Sequence, residues 1–229
     1  NSGSTIQVGK DGIGIYVKGA GYTAENYGTI NGFGDNAKGI FASDNAIVNN
    51  YGVINMTGDG VIGIAGQSGA QIYNHTGSVI NVSGNDAYAF YAKNGGGYNI
   101  TGNAAINIGA GSIGFQYVGS GLNTAVNPLD ITTMFNAGGG TLTFNLDPNS
   151  YAMVIQNAKI NISDLGTFTS IMPSHITMSG SDKAKIYKGH LEIDENSNID
   201  ASATTNTKFR DLLVSSSRVT ISGGKTVTG

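Results

Sequence analysis

The chain has 229 residues, enough to bury a sizeable core, yet 36 of them are glycine and only 12% are charged, against ordinary shares of about 7% and about 25%. Only three prolines are present, which argues against a disordered Gly/Pro linker, and a net charge of −3 offers no basic surface to nucleic acid or an anionic membrane. The absence of Cys removes disulfide and thiolate chemistry and suits an exported bacterial protein, and no apolar run is long enough for a transmembrane helix.

In chain order, Asn1-Ser-Gly3-Ser-Thr-Ile6-Gln7 opens a block that returns as Asn26-Tyr27-Gly-Thr-Ile30-Asn31 and Asn50-Tyr51-Gly-Val-Ile54-Asn55. It recurs as Asn74-His75-Thr-Gly77-Ser-Val-Ile80-Asn81 and Asn99-Ile-Thr-Gly102-Asn-Ala-Ala-Ile106-Asn107. Between these lies a second block, Gly9-Lys-Asp-Gly-Ile13-Gly-Ile15, with copies headed by Gly34, Gly58, Gly84 and Gly109 at spacings of 25, 24, 26 and 25. Ile13/Ile15, Ile62/Ile64 and Ile113/Phe115 alternate with small residues at period 2, the signature of strands. A third apolar run, Ala46 to Val48 and Ala70 to Ile72, leads into the next Asn block. Three strands of about five residues and their turns account for about 25 residues. Gly recurs too often in each copy for helical repeats. The chain therefore reads as all-β, a parallel β-helix in which each strand pairs with its equivalent one coil above. The general preference for right-handed crossovers makes the expected helix right-handed.

Stacking at about 4.8 Å per coil turns each repeated position into a column. Ile30, Ile54, Ile80 and Ile106 form one interior column, and Ile15, Ile40, Ile64, Phe90 and Phe115 a second. Asn31, Asn55, Asn81 and Asn107 read as a ladder of amides bonded along the stack. The Gly heading each second block is expected to supply positive φ at a corner. The extra residue at His75-Thr76, against Tyr51 alone, is expected in a turn.

Residues 1–121 are the regular coils. Residues 122–140 lack strand alternation and contain Gly138-Gly-Gly140, which reads as an irregular loop or insertion. Residues 141–229 read as degenerate coils. Their strand-like runs are Thr141–Phe144, Ala152–Ile155, Lys159–Ile162, Ile176–Met178, Lys185–Tyr187, Leu191–Ile193, Asn198-Ile199, Asp211–Val214 and Arg218–Ile221. An even repeat carried to the end gives about nine coils, a rod of about 45 Å. Neither end reads as a polar cap, so the expectation is a segment of a longer rod.

The pattern Asn-x-Gly-x-Ile-Asn, as in Asn26 to Asn31, followed by Gly34-Asp-Asn-Ala-Lys-Gly-Ile40, resembles the passenger repeats of large fusobacterial autotransporter adhesins of the RadD type. The resemblance is carried by Asn26 to Gly121 and is compositional beyond. It implies a parent with a signal peptide, a right-handed β-helical passenger at the cell surface and a C-terminal outer-membrane barrel. The implied partner is a protein or glycan receptor on another bacterium or a host cell.

Candidate chemistry is sparse. Asp35 and Asp59 fall in one column and Asp11 and Asp86 in the next, either as paired carboxylates or as the turn formers that Asp and Asn commonly are. His75, His175 and His190 have no metal-type spacing, so no metal or cofactor is expected. The recurrent Asn-x-Ser/Thr triplets at Asn55, Asn74, Asn81 and Asn99 follow from the repeat itself. Tyr27, Tyr51 and His75 form one outward column, either a stacked platform for a sugar or peptide or a stabilising cross-strand stack. The resulting expectation is a non-enzymatic segment of a secreted surface adhesin, the alternatives being a polysaccharide-active β-helix or a purely structural stalk.

Overall fold

The computed structural model describes residues 2–118, 135–161, 176–180, 185–193 and 218–221. The first coil is β1 (Thr5–Val8), β2 (Ile13–Lys18) and β3 (Thr23–Asn26), and the second β4 (Thr29–Phe33), β5 (Lys38–Ser43) and β6 (Ile47–Asn50). The third is β7 (Val53–Thr57), β8 (Ile62–Gln67) and β9 (Gln71–Asn74), and the fourth β10 (Val79–Ser83), β11 (Tyr88–Lys93) and β12 (Gly97–Ile100). The fifth is β13 (Ala104–Ile108), β14 (Ile113–Val118) and β15 (Phe135–Ala137). Beyond it come β16 (Leu142–Leu146), β17 (Tyr151–Asn161), β18 (Ile176–Gly180), β19 (Lys185–Ile193) and β20 (Arg218–Ile221). No helix occurs among the described residues.

Every pairing is parallel and joins a strand to its equivalent in the next coil, which makes the fold a parallel β-helix of about five complete coils, the first four near 25 residues each. Sheet A stacks β1, β4, β7, β10, β13, β16 and β18. Sheet B stacks β2, β5, β8, β11, β14, β17, β19 and β20, and sheet C stacks β3, β6, β9, β12 and β15.

The interior is a set of self-stacking columns. Ile6, Ile30, Ile54, Ile80, Ile106 and Phe144 lie in register in sheet A, and the members from Ile30 onward are 0% exposed. In sheet B, Ile15, Ile40, Ile64, Phe90, Phe115 and Met153 do the same. Sheet C contributes Ala24, Val48, Ile72 and Tyr98. Where this last column widens from Ile72 to Tyr98, the ring meets Phe90 edge-on at 3.8 Å between centroids, so two columns enlarge together.

The period-2 reading of sheet B needs correction. Ile13 is 44% exposed, and its column (Ile13, Lys38, Ile62, Tyr88, Ile113) lies outside the core cluster that holds Ile40 and Ile64. The regular pairing steps over Gly14, Gly39, Gly63 and Gly114, where the strand shifts its facing. A Cβ on Gly39 would sit 2.6 Å from the Gly63 carbonyl oxygen and 2.8 Å from Ile54, so the close coil approach requires glycine there. Corner geometry also differs in part from expectation. Gly34, Gly58 and Gly84 have positive φ, but the position that is left-handed in every copy comes two residues after the heading Gly: Asp11, Asn36, Gly60, Asp86 and Gly111. Those are the residue types that tolerate αL.

The extension at His75 is two residues, not one. Val79 pairs with Val53 and the His75 amide bonds the Asn50 carbonyl, which leaves Thr76-Gly77 as the extra turn. In the second half the period lengthens. Asn107 and Asn145 are stacked neighbours 38 residues apart, so the extra residues lie between β14 and β15. Most of the expected 122–140 loop falls outside the described residues, but its end, Phe135–Ala137, is a strand paired with β12. Of the run Lys159 to Ile162, Lys159–Asn161 is part of β17, whose register against β19 shifts between Val154 and Lys159, and Ile162 lies outside the described residues. Lys185–Tyr187 and Leu191–Ile193 form one strand, and the runs at 198–199 and 211–214 lie outside the described residues. Among the described residues sheet B holds eight strands.

Ile80 packs between Ile54 and Ile106 with no exposure. The Ile80→Ala variant is expected to lose about 2–5 kcal/mol, read as a lowered urea midpoint.

Candidate functional site

The repeat brings three polar or aromatic columns onto the faces of sheets A and C. The first is the predicted amide ladder. Asn55 donates its side-chain N–H to Asn31 Oδ1 at 2.8 Å, Asn81 to Asn55 at 2.6 Å, and Asn107 to Asn81 at 2.5 Å. A further rung, Asn145 to Asn107 at 2.7 Å, continues the ladder across the long coil. All five side chains are half-buried, on the outer face of sheet A.

A second ladder was not legible as such. Asn26, Asn50 and Asn74, which open each block, are buried at 4%, 0% and 1% exposure. Asn26 Nδ2 donates to Asn50 Oδ1 at 2.9 Å, and Asn50 Nδ2 to Asn74 Oδ1 at 3.1 Å. Asn26 Oδ1 accepts the Gly28 amide at 3.2 Å. This ladder points its donors toward the C-terminal end, opposite to the outer one. It stops at the fourth coil because Ile100, not Asn99, stacks on Asn74. Asn99 is displaced by one position and bonds Gln71 Oε1 and the Ile72 carbonyl, each at 3.2 Å. Invariant Asn at the start of each block was the available signal; its inward facing followed only from the corner between sheets C and A.

The third column is Tyr27, Tyr51 and His75, which the fold does bring together. The Tyr27 and Tyr51 rings stack at 4.6 Å and 3°, and Tyr51 and His75 at 4.0 Å and 12°. The rings therefore turn their faces to one another along the rod and present edges to solvent. A ligand is left the outer face of Tyr27, which is 45% exposed, and the ring edges. Tyr27 Oη donates to Glu25 at 3.3 Å. His75 Nε2 lies 3.0 Å from Asn49 Oδ1 and Nδ1 lies 2.8 Å from Thr101 Oγ1, which also stands 3.0 Å from the Asn74 carbonyl. The Thr101 hydroxyl gives its one proton to the Asn74 carbonyl, so it accepts from His75 Nδ1–H, and in a neutral ring Nε2 then accepts from the Asn49 amide turned to present its nitrogen; this tautomer is assigned from the network. Desolvation pushes the His75 pKa below the ordinary imidazole value, while the Glu25 carboxylate pulls it back up.

The carboxylate columns are turn devices. Asp35 Oδ1 accepts the Asp59 amide at 3.2 Å, and Asp59 Oδ1 accepts the Asn85 amide at 2.9 Å. Asp11 and Asp86 do not adjoin: Asn36 and Gly60 lie between them in the αL column, and Asn36 Nδ2 donates to Asp11 at 3.1 Å. Among the described residues no group of three or more His, Cys, Asp or Glu is placed to hold a metal ion. His175 lies outside the described residues, and His190 sits in β19 against Arg218. Comparison with protein-family models, curated proteins and solved structures finds no match for this chain.

Two outcomes follow from these ladders. Asn50→Ala leaves both the Asn26 amide and the Asn74 carbonyl unpaired in the core, so it is expected to cost about 2–5 kcal/mol, more than Asn81→Ala on the half-buried ladder; paired urea melts compare them. His75, held neutral when folded, lends stability that is complete above about pH 6.5 and declines as pH falls below it. An NMR titration is expected to place its pKa below the ordinary value, and Glu25→Gln to lower it further.

Proposed function

We propose that the chain is a segment of a secreted bacterial surface adhesin, an autotransporter-type passenger that attaches its cell to other bacteria or to host cells. One observation supports this reading above the rest. Sheets A and B keep their register through a coil of 38 residues, with the amide ladder and both interior columns running on unbroken. In a solenoid each coil contacts only its neighbours, so extra chain is taken up at one corner without disturbing the rod. Such a rod holds variable binding segments away from a cell surface, and loops on a rigid scaffold are where binding residues concentrate. The likeness of residues 26–121 to fusobacterial passenger repeats points the same way and would anchor the parent through an outer-membrane barrel.

A polysaccharide-cleaving role has weaker support. Asp35 and Asp59, its best carboxylate pair, each give an oxygen to a backbone amide of the next coil and show no general acid/base arrangement. Fluorescent beads carrying the purified chain are expected to adhere saturably to some members of a panel of bacterial and epithelial cells, with competition by soluble chain. Beads that adhere to none above the uncoated background would leave a stalk without adhesive function.

A further inference from the structure

Beside the outer amide ladder runs a second row two positions along each strand: Phe33, Thr57, Ser83, Gly109 and Asp147. The two rows enclose a shallow groove of about 310 Å³ parallel to the rod axis, lined by Asn55, Asn81, Asn107 and Asn145 on one side and by Thr57, Ser83, Gly109 and Asp147 on the other. Phe33 stands at its N-terminal end and is 58% exposed, an apolar ring in a row otherwise polar or empty. Gly109 is not required by a left-handed backbone; a Cβ there would come within 3.0 Å of Ser83, and its absence opens the row before Asp147.

The ladder leaves this groove chemically active. Each side-chain amide has two N–H donors and two acceptor lone pairs. In Asn55, Asn81 and Asn107 the ladder uses one donor and one lone pair, so each rung keeps one of both. These repeat at the coil rise of about 4.8 Å. From this geometry we infer that the groove binds an extended, neutral polysaccharide lying along the rod, with Phe33 stacked on a sugar ring and the amide and hydroxyl rows bonding sugar hydroxyls. Equatorially linked pyranoses advance by nearly one coil rise per ring and return the same face every second ring, so their same-side groups meet every second rung. An extended peptide repeats its same-side groups every two residues, at about 6.6–6.8 Å, and falls out of step within a few rungs. Charge decides between glycan types. Asp147 lines the groove, and exposed Asp35 and Asp59 follow Phe33 and Thr57 by two residues, which opposes polyanionic glycans.

This site deepens the adhesive reading by naming a receptor class, and rests on that reading only for where such a glycan is met. Its test uses the purified chain and soluble probes: β-1,4-linked glucose and N-acetylglucosamine hexasaccharides, with polygalacturonate and a Ser/Thr-rich peptide as the competing classes, followed by calorimetry. Saturable binding of a neutral hexasaccharide, stronger than that of its disaccharide, is expected. Phe33→Ala and Ser83→Arg, both on the outer face, are expected to weaken it by about tenfold or more, while Thr23→Arg on sheet C leaves it unchanged. Circular dichroism and thermal melts identify any variant that misfolds. No binding of either neutral hexasaccharide, binding indifferent to both substitutions, or preference for the peptide or the polyanion would each overturn the inference. Glycan binding by a chain whose beads adhere to no cell would remove the adhesive reading alone. Adhesion without glycan binding would remove the groove alone.

Discussion

Parallel, in-register stacking is the constraint on which the rest of this molecule depends. Once each residue lies above its equivalent at about 4.8 Å, every repeated side chain must be able to pack against a copy of itself. Aliphatic groups do so by burying each other, as Ile30, Ile54, Ile80 and Ile106 do. Amides do so because each carries both donor and acceptor. Rings do so by stacking, which takes Tyr27, Tyr51 and His75 to centroid separations of 4.6 and 4.0 Å. Carboxylates have no such solution, since like charges at that distance repel. The structure answers by giving the Asp35 and Asp59 oxygens to backbone amides and by alternating Asp with Asn and Gly in the αL column.

The buried amide ladder shows how strict the rule is. A core Asn is costly unless its donors and acceptors are met. Asn50 meets this by bonding to both neighbours, and Asn26 by accepting the Gly28 amide at the open end. At the other end the sequence changes type, and Ile100 takes the next position. The outer ladder is under less pressure because solvent can satisfy its remaining groups, and it runs longer, through Asn145.

Legibility in the sequence followed the same logic. Coil length, both interior columns and the outer ladder could be read because they repeat four or five times at nearly constant spacing. Period 2 marked the strand at Ile13 and Ile15 but implies a regular pleat, and Gly14 breaks that pleat through a close backbone approach that pattern alone does not reveal. Asn99 was aligned with Asn74 because composition matched, while the pairing places Ile100 there. Asp11 and Asp86 share a column but are three coils apart, a distinction that needs register as well as phase. The platform column was legible as a contact, but not the orientation of its rings, which decides how much face a ligand can reach.

Function is harder to see in such a fold because repetition explains most polar residues without it. A residue demanded by every coil is explained by the stack before any binding role is invoked, and this applies to Asn31 through Asn107, to the αL Asp and Asn, and to the Asn-x-Ser/Thr triplets, whose Asn55 and Asn81 are ladder rungs and whose Asn74 is buried. The informative positions are those where a column departs from its own rule with no structural gain. Phe33 heads a row otherwise polar or empty while 58% exposed, and the coil after β14 lengthens while both ladder and core continue. Burial or turn geometry would account for neither. Since the stacking constraint tolerates such departures only on the outer face or at a corner, those are the places where a solenoid of this kind can acquire a binding role.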